Sequence, residues 1–124
     1  MTTRPATPRP DVTTEPTATS PAEQFQNQTL RPILKQINDL IVSYFRHHYP
    51  KRKVNMARLT ETDKLAYIER AIRDDTKLRL TLVGMVLGQF TAEEWAAFVP
   101  LEAEASRRIQ NLIIQRLQSQ VGEL

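Results

Sequence analysis

The sequence predicts an all-α fold, a compact bundle of four to five helices over residues 22–124 behind a disordered N-terminal arm over residues 1–21. Apolar side chains recur at steps of three and four residues, which is the period of one helix face. Residues typical of helix starts precede these stretches at Ser20, Thr60 and Thr91. The alternating stretch over 78–82 has no second convincing strand to pair with, so the sequence favours a helix there too.

The arm is rich in proline and threonine, with five of the eight prolines and seven threonines. Val12 is its one large apolar residue after Met1. A segment of this composition cannot bury enough apolar surface to offset the entropy lost on ordering it. We therefore expect the arm to be extended and disordered.

The first strong helical pattern runs over 30–48. Pro32 decides where this helix starts, because a proline inside a helix removes a hydrogen bond at a cost of about 3 kcal/mol. A start at Thr29 keeps this proline in the first turn and leaves 21–28 as a possible extra turn. Pro50 ends the helix.

A basic loop over 50–59 leads to the second helix, which begins after Thr60. Asp63, three residues later, completes a capping box in which aspartate replaces the usual glutamate. The pair Asp74 and Asp75 interrupts the apolar pattern, so we expect a break or a kink there.

The third helix, 78–89, is apolar on nearly all sides, which is typical of a buried helix. We expect it to be the central element of the bundle. Gly84 and Gly88 form a G-x-x-x-G motif in it, and each interior glycine costs about 1 kcal/mol relative to alanine. A close-packed neighbour is expected to compensate, either another helix of the same chain or a second subunit.

The strongest start signal belongs to the fourth helix, 92–98. Thr91 and Glu94 form a capping box, and Phe90 and Trp95 stand where a hydrophobic staple requires them. We expect the staple to fix the turn between the third and fourth helices.

The fifth helix, 101–120, carries an apolar residue at every fourth position. Such a ladder drifts about 40° per step around the helix, so the helix should contact more than one neighbour. The fold has few helices to cover both this ladder and the third helix, so we expect part of the ladder to be exposed in a monomer and to form a homodimer interface. The predicted interface residues are Gly84, Gly88, Leu112, Ile113, Ile114 and Leu117.

Composition and missing motifs narrow the classes of function. The chain has no cysteine, which excludes disulfides, thiolate nucleophiles and cysteine metal sites. It has no apolar stretch of about 20 residues and no secretory signal, so we expect a cytoplasmic protein.

The common nucleotide-binding and hydrolase motifs are absent. Its two histidines, His47 and His48, are adjacent on a helix and cannot easily share a metal ion. We therefore expect no metal or cofactor, and we favour a protein that is not an enzyme.

One concentrated basic run follows the first helix. The residues of this predicted basic patch are Arg46, Lys51, Arg52, Lys53 and Arg58. With the neighbouring tyrosines the patch could cradle phosphates and stack a base, or it could be a solvated loop. The formal net charge of +3 is small, so any nucleic-acid binding is expected to be weak.

Three segments resemble a known group of proteins: FQNQTLRPILK over 25–35, LVGMVLGQFTAEEW over 82–95 and RRIQNLIIQRL over 107–117. They are similar to short, all-helical bacterial proteins of unestablished function, some of which genome annotation labels glyoxalase. The resemblance covers roughly residues 24–121. It implies a small helical bacterial protein, and its packing and capping motifs carry no catalytic residue onto this chain.

The sequence thus favours a non-enzymatic helical interaction module that associates with itself or with a protein partner. We expect no association with a membrane. Two alternatives stay open. One is weak binding of nucleic acid or an anionic ligand through the basic run 46–53. The other is a glyoxalase-like enzyme.

Overall fold

The computed structural model of the chain describes residues 20–124, and every regular element in that range is helical. The all-α prediction is therefore confirmed. The predicted disordered arm lies outside the described residues, except for Ser20 and Pro21, which begin the first helix. Four of the predicted helices correspond to four observed ones, and the remaining one corresponds to a longer helical path.

That path runs from Pro21 to His48 in three α-helical segments and one π-helical turn. The hydroxyl of Ser20 accepts the Glu23 N–H at 3.2 Å, so the helix starts at the first of the two candidate signals. The segments are α1 (Pro21–Phe25), the π-helical turn (Gln26–Leu30), α2 (Arg31–Gln36) and α3 (Asn38–His48).

The predicted start at Thr29 is wrong, and the π-helical turn gives the reason. Pro32 lies well inside the helical path and is buried. The turn before it is widened, with the Arg31 N–H bonded to the carbonyl of Gln26, five residues back. A π-turn redistributes backbone hydrogen bonds, so the helix can pass a residue that has no N–H to donate.

The next two helices are α4 (Glu61–Asp74) and α5 (Thr76–Leu87). Two short 3₁₀ turns, Tyr49–Arg52 and Met56–Arg58, occupy the loop before α4. The predicted break after α4 is confirmed, because Asp75 leaves the helical conformation and becomes the N-cap of α5.

The last two helices are α6 (Ala92–Phe98) and α7 (Glu102–Gln118). The predicted capping box is present, with the Thr91 hydroxyl accepting the Glu94 N–H at 3.1 Å. The staple differs from the prediction. Phe90 and Trp95 both pack on Phe98, each with ring centroids 5.4 Å from it, so the buried Phe98 ring joins the two.

The centre of the bundle is α7, and the prediction that 78–89 is central is wrong. α7 contacts α1, α2, α4 and α5, and it buries six apolar side chains. α5 buries Leu78, Leu82 and Val86 along one side, while Leu80 on the opposite side is 62 % exposed. A domain of this size surrounds one helix, and the rotating apolar ladder of α7 faces several neighbours at once.

Candidate functional site

All five residues of the predicted basic patch are exposed, on the last turn of α3 and in the loop after it that contains the two 3₁₀ turns. Arg52 differs from the other four because its guanidinium is held by Asp75. Its Nε donates to Oδ2 at 2.9 Å, and a terminal nitrogen donates to Oδ1 at 3.3 Å. This ion pair neutralises one charge of the patch and ties the loop to the start of α5.

His48 takes part in the same cluster. Its ring is 5 % exposed, stacks on Tyr44 with centroids 6.0 Å apart, and places Nε2 at 2.7 Å from Oδ2 of Asp75. His47 is exposed. The two adjacent histidines therefore diverge, as the helical geometry of the sequence predicts, and His48 has a structural partner.

Asp75 is the centre of this cluster. Its carboxylate also accepts the backbone N–H of Leu78 at 3.2 Å, so it caps α5. Burial raises the pKa of the Asp75 carboxyl, but hydrogen bonds with Arg52, His48 and the Leu78 N–H outweigh burial and hold that pKa well below its usual range. The carboxylate thus stays charged and joins α3, the loop and α5.

An open groove of about 600 Å³ lies beside the cluster, next to Tyr67. Burial raises the pKa of the Tyr67 hydroxyl, and the negative charge of Asp75 raises it further. The Arg70 guanidinium lies 5.9 Å from the centroid of the Tyr67 ring. Both signs of charge line the groove, so it offers little electrostatic preference for one class of ligand. Its charged residues are Arg52, Arg70, Asp74, Asp75 and Lys77.

Within residues 20–124, no group of three or more His, Cys, Asp or Glu side chains is arranged to hold a metal ion. In the same range, no helix combines the length and the apolar character needed to cross a membrane.

A second basic surface lies between α2 and α7 and shares no residue with the predicted patch. We call it the arginine groove and define it by Arg31, Arg107, Arg108 and Arg116. Two adjoining cavities form it, of about 400 Å³ and about 220 Å³, and both are lined by Arg31, Leu112 and Gln115. Arg107 and Arg108 line the larger cavity, and Arg116 lines the smaller one.

The sequence does not predict this groove, because Arg31 is more than 70 residues away from the other three arginines. One signal was visible in the sequence. Arg107, Arg108 and Arg116 are all polar residues on a helix whose other side is an apolar ladder. Only the packing of α2 against α7 places Arg31 beside them.

The predicted homodimer interface on α7 is not accessible in the monomer. Leu112, Ile113, Ile114 and Leu117 are all buried, at 7 %, 0 %, 5 % and 0 % exposure. The expectation that part of this ladder is exposed is wrong, because α7 lies at the centre of the bundle and its neighbours cover the ladder on successive sides.

Both glycines of the G-x-x-x-G motif, Gly84 and Gly88, are exposed. A Cβ atom added at Gly84 would meet nothing within 4 Å, apart from the helix's own backbone and the adjacent residues. No other helix of the described chain therefore packs closely on Gly84, and the expected intramolecular crossing at this residue is wrong. At Gly88 the nearest atoms are carbonyl oxygens of the preceding turn.

The large exposed apolar side chains include one on α6 and one in the 3₁₀ turn, Val99–Leu101, that directly follows it. Trp95 is 49 % exposed and Val99, one turn later, is 50 % exposed. Ala92 and Ala96 are exposed next to them. We call this surface the α6 stripe and define it by Ala92, Trp95, Ala96 and Val99. The sequence predicted Trp95 as a core residue of the staple, whereas its indole covers Phe98 with one face and leaves about half of its surface open.

In comparisons with known proteins, no family model, curated protein or solved structure matches the chain.

Proposed function

We propose that this protein is a non-enzymatic helical interaction module that associates with a second copy of itself through the α6 stripe. The observation that carries the proposal is the half-exposed indole of Trp95. A tryptophan of that exposure leaves a large apolar area in water, and aromatic side chains of this kind dominate the energy of protein interfaces.

The α6 stripe is held rigidly, which favours binding. The capping box fixes the first turn of α6. Phe98, which stacks on the inner face of the Trp95 indole, is 2 % exposed and packs against Phe25 and Phe90, with ring centroids 6.2 Å and 5.4 Å away. A surface that is ordered before binding loses less conformational entropy when a partner arrives.

The shape of the stripe favours a second copy as its partner. The large Trp95 side chain lies one turn from the small Ala92 and beside the small Ala96. A two-fold axis over the stripe would place the indole of each subunit on the alanines of the other. Such self-complementary contacts are typical of isologous dimers, which are the commonest oligomers.

The test is the mass of the full chain in solution, measured by light scattering after size-exclusion chromatography. At about 100 μM, a dimer with a micromolar Kd is almost fully formed. We expect about twice the chain mass of 14.3 kDa. Trp95→Gln should give the mass of one chain, with an unchanged helical circular dichroism spectrum.

Leu80→Gln is the matched control, because Leu80 is also an exposed large apolar residue but lies on α5. It should leave the dimer intact. A monomeric unmodified protein would refute self-association. Dissociation by Leu80→Gln but not by Trp95→Gln would refute the α6 stripe and place the contact on α5, where the predicted interface residues Gly84 and Gly88 are exposed.

A further inference from the structure

We infer that the arginine groove binds the phosphate group of a small phosphorylated molecule. The groove is independent of the α6 stripe, and the inference does not depend on the proposed self-association. It begins from the positions of four guanidinium groups on two helices.

Positive charge is concentrated in the groove and is largely unneutralised. One carboxylate lines it, that of Glu104, and this group already accepts a hydrogen bond from Arg108 at 3.1 Å. Arg31 donates to the neutral amide oxygen of Asn27, and Arg116 to that of Asn38. Among residues 20–124, no carboxylate forms an ion pair with Arg31, Arg107 or Arg116.

Other arginines of the same chain do have acidic partners. Arg52 pairs with Asp75, and Arg73 pairs with Glu69. The formal net charge of the whole chain is only +3, so a basic site in this protein depends on local clustering of charge. Local potential, rather than net charge, attracts a small anion to such a cleft.

The groove also places like charges together at a partly desolvated position. Burial lowers the pKa of Arg116, and the positive charge of Arg31 lowers it further. Both effects disfavour the charged form of the guanidinium. A bound anion between these two side chains would offset them, since charge-assisted hydrogen bonds to phosphate are strong and arginine forms them in pairs.

The dimensions and lining favour a small molecule over a nucleic acid. The larger cavity, of about 400 Å³, is in the range of small-molecule sites. Leu34 and Leu112 supply apolar surface for a short carbon skeleton. Proteins that bind single-stranded nucleic acid stack the bases on aromatic rings, and the two cavities are lined by no aromatic residue.

The test uses inorganic pyrophosphate as the probe, titrated into the full chain at low salt and followed by calorimetry and by amide chemical shifts. We expect saturable binding, with the largest shifts in α2 and in the middle of α7. The double variant Arg31→Gln/Arg107→Gln should weaken binding at least about tenfold, because each charged hydrogen bond to phosphate contributes strongly. Both side chains are exposed, so the fold should persist.

The matched control is Lys51→Gln/Lys53→Gln, which removes the same charge from the exposed basic loop. It should leave pyrophosphate affinity within about twofold at matched ionic strength, because screening limits the effect of distant charges. Equal losses in both double variants would show a non-specific effect of net charge and overturn the inference. A larger loss in the loop variant would overturn it in favour of the basic run 46–53. The absence of saturable pyrophosphate binding would overturn it directly.

Discussion

Asp75 joins more parts of this molecule than any other acidic residue described. It caps α5, holds Arg52 and accepts a bond from buried His48. We expect Asp75→Ala to lower the free energy of unfolding by about 2–3 kcal/mol, because it removes a helix cap and leaves a buried polar partner unsatisfied. Denaturant melts measure the loss. Asp74→Ala, an exposed neighbour, is the control and should change stability by less than about 0.5 kcal/mol.

The lowered pKa of Asp75 makes part of the stability dependent on pH. Its contribution is fully present above the ordinary carboxyl pKa of about 4 and is lost as pH falls below it, because the unfolded chain then binds a proton more readily than the folded one. Melts of the unmodified protein and of Asp75→Asn should therefore differ most near neutral pH and converge in acid. A difference that grows on acidification would contradict the assigned hydrogen bonds.

Phe98 and Trp95 are stacked on each other but differ in exposure, at 2 % and 49 %. We expect Phe98→Ala to cost about 3–5 kcal/mol, which is typical of a buried aromatic residue. Trp95→Ala should cost only about 1–2 kcal/mol, because half of the indole is already in water. Measuring monomer stability at low protein concentration separates these effects from association. Equal losses would show that the indole is a core residue.

At the scale of elements, α5 carries a glycine at a position where packing within the described chain leaves room for a side chain. Gly84 lies inside the helix, and an added Cβ atom would meet nothing within 4 Å apart from its own helix and adjacent residues. Gly84→Ala should therefore stabilise the monomer by about 0.5–1 kcal/mol, through helix propensity and a less flexible unfolded chain. Thermal melts measure the gain. A loss would instead indicate that a second chain packs on this side of α5.

At the scale of the whole molecule, α7 unites the bundle. Ile114 on this helix is 5 % exposed. We expect Ile114→Lys to unfold the protein, at a cost above about 4 kcal/mol, because it buries an unpaired charge in the core. Circular dichroism should show loss of helix. Gln115→Lys, next in sequence and exposed, should keep the native spectrum. A folded, monomeric Ile114→Lys variant would contradict this expectation and would support the homodimer interface on α7 that the sequence predicted.

The sequence alone determined the helical class, the caps at Thr60 and Thr91 and the break at Asp75, because these depend on periodicity and on hydrogen bonds within a few residues. It did not determine the start of the first helix, because Pro32 favoured Thr29 and the π-helical turn allows the start at Ser20. Tertiary structure decided which helix lies at the centre. Both α5 and α7 carry enough apolar side chains for a central position, and only their packing against neighbouring helices distinguishes them. It also decided the sites. Trp95 is exposed because Phe98 takes the interior position, and the arginine groove exists because α2 packs against α7. The groove joins distant segments through packing geometry, so spacing alone does not predict it. Trp95 and Phe98 are three residues apart on one helix, and the neighbouring rings of Phe25 and Phe90 decide which of the two is buried.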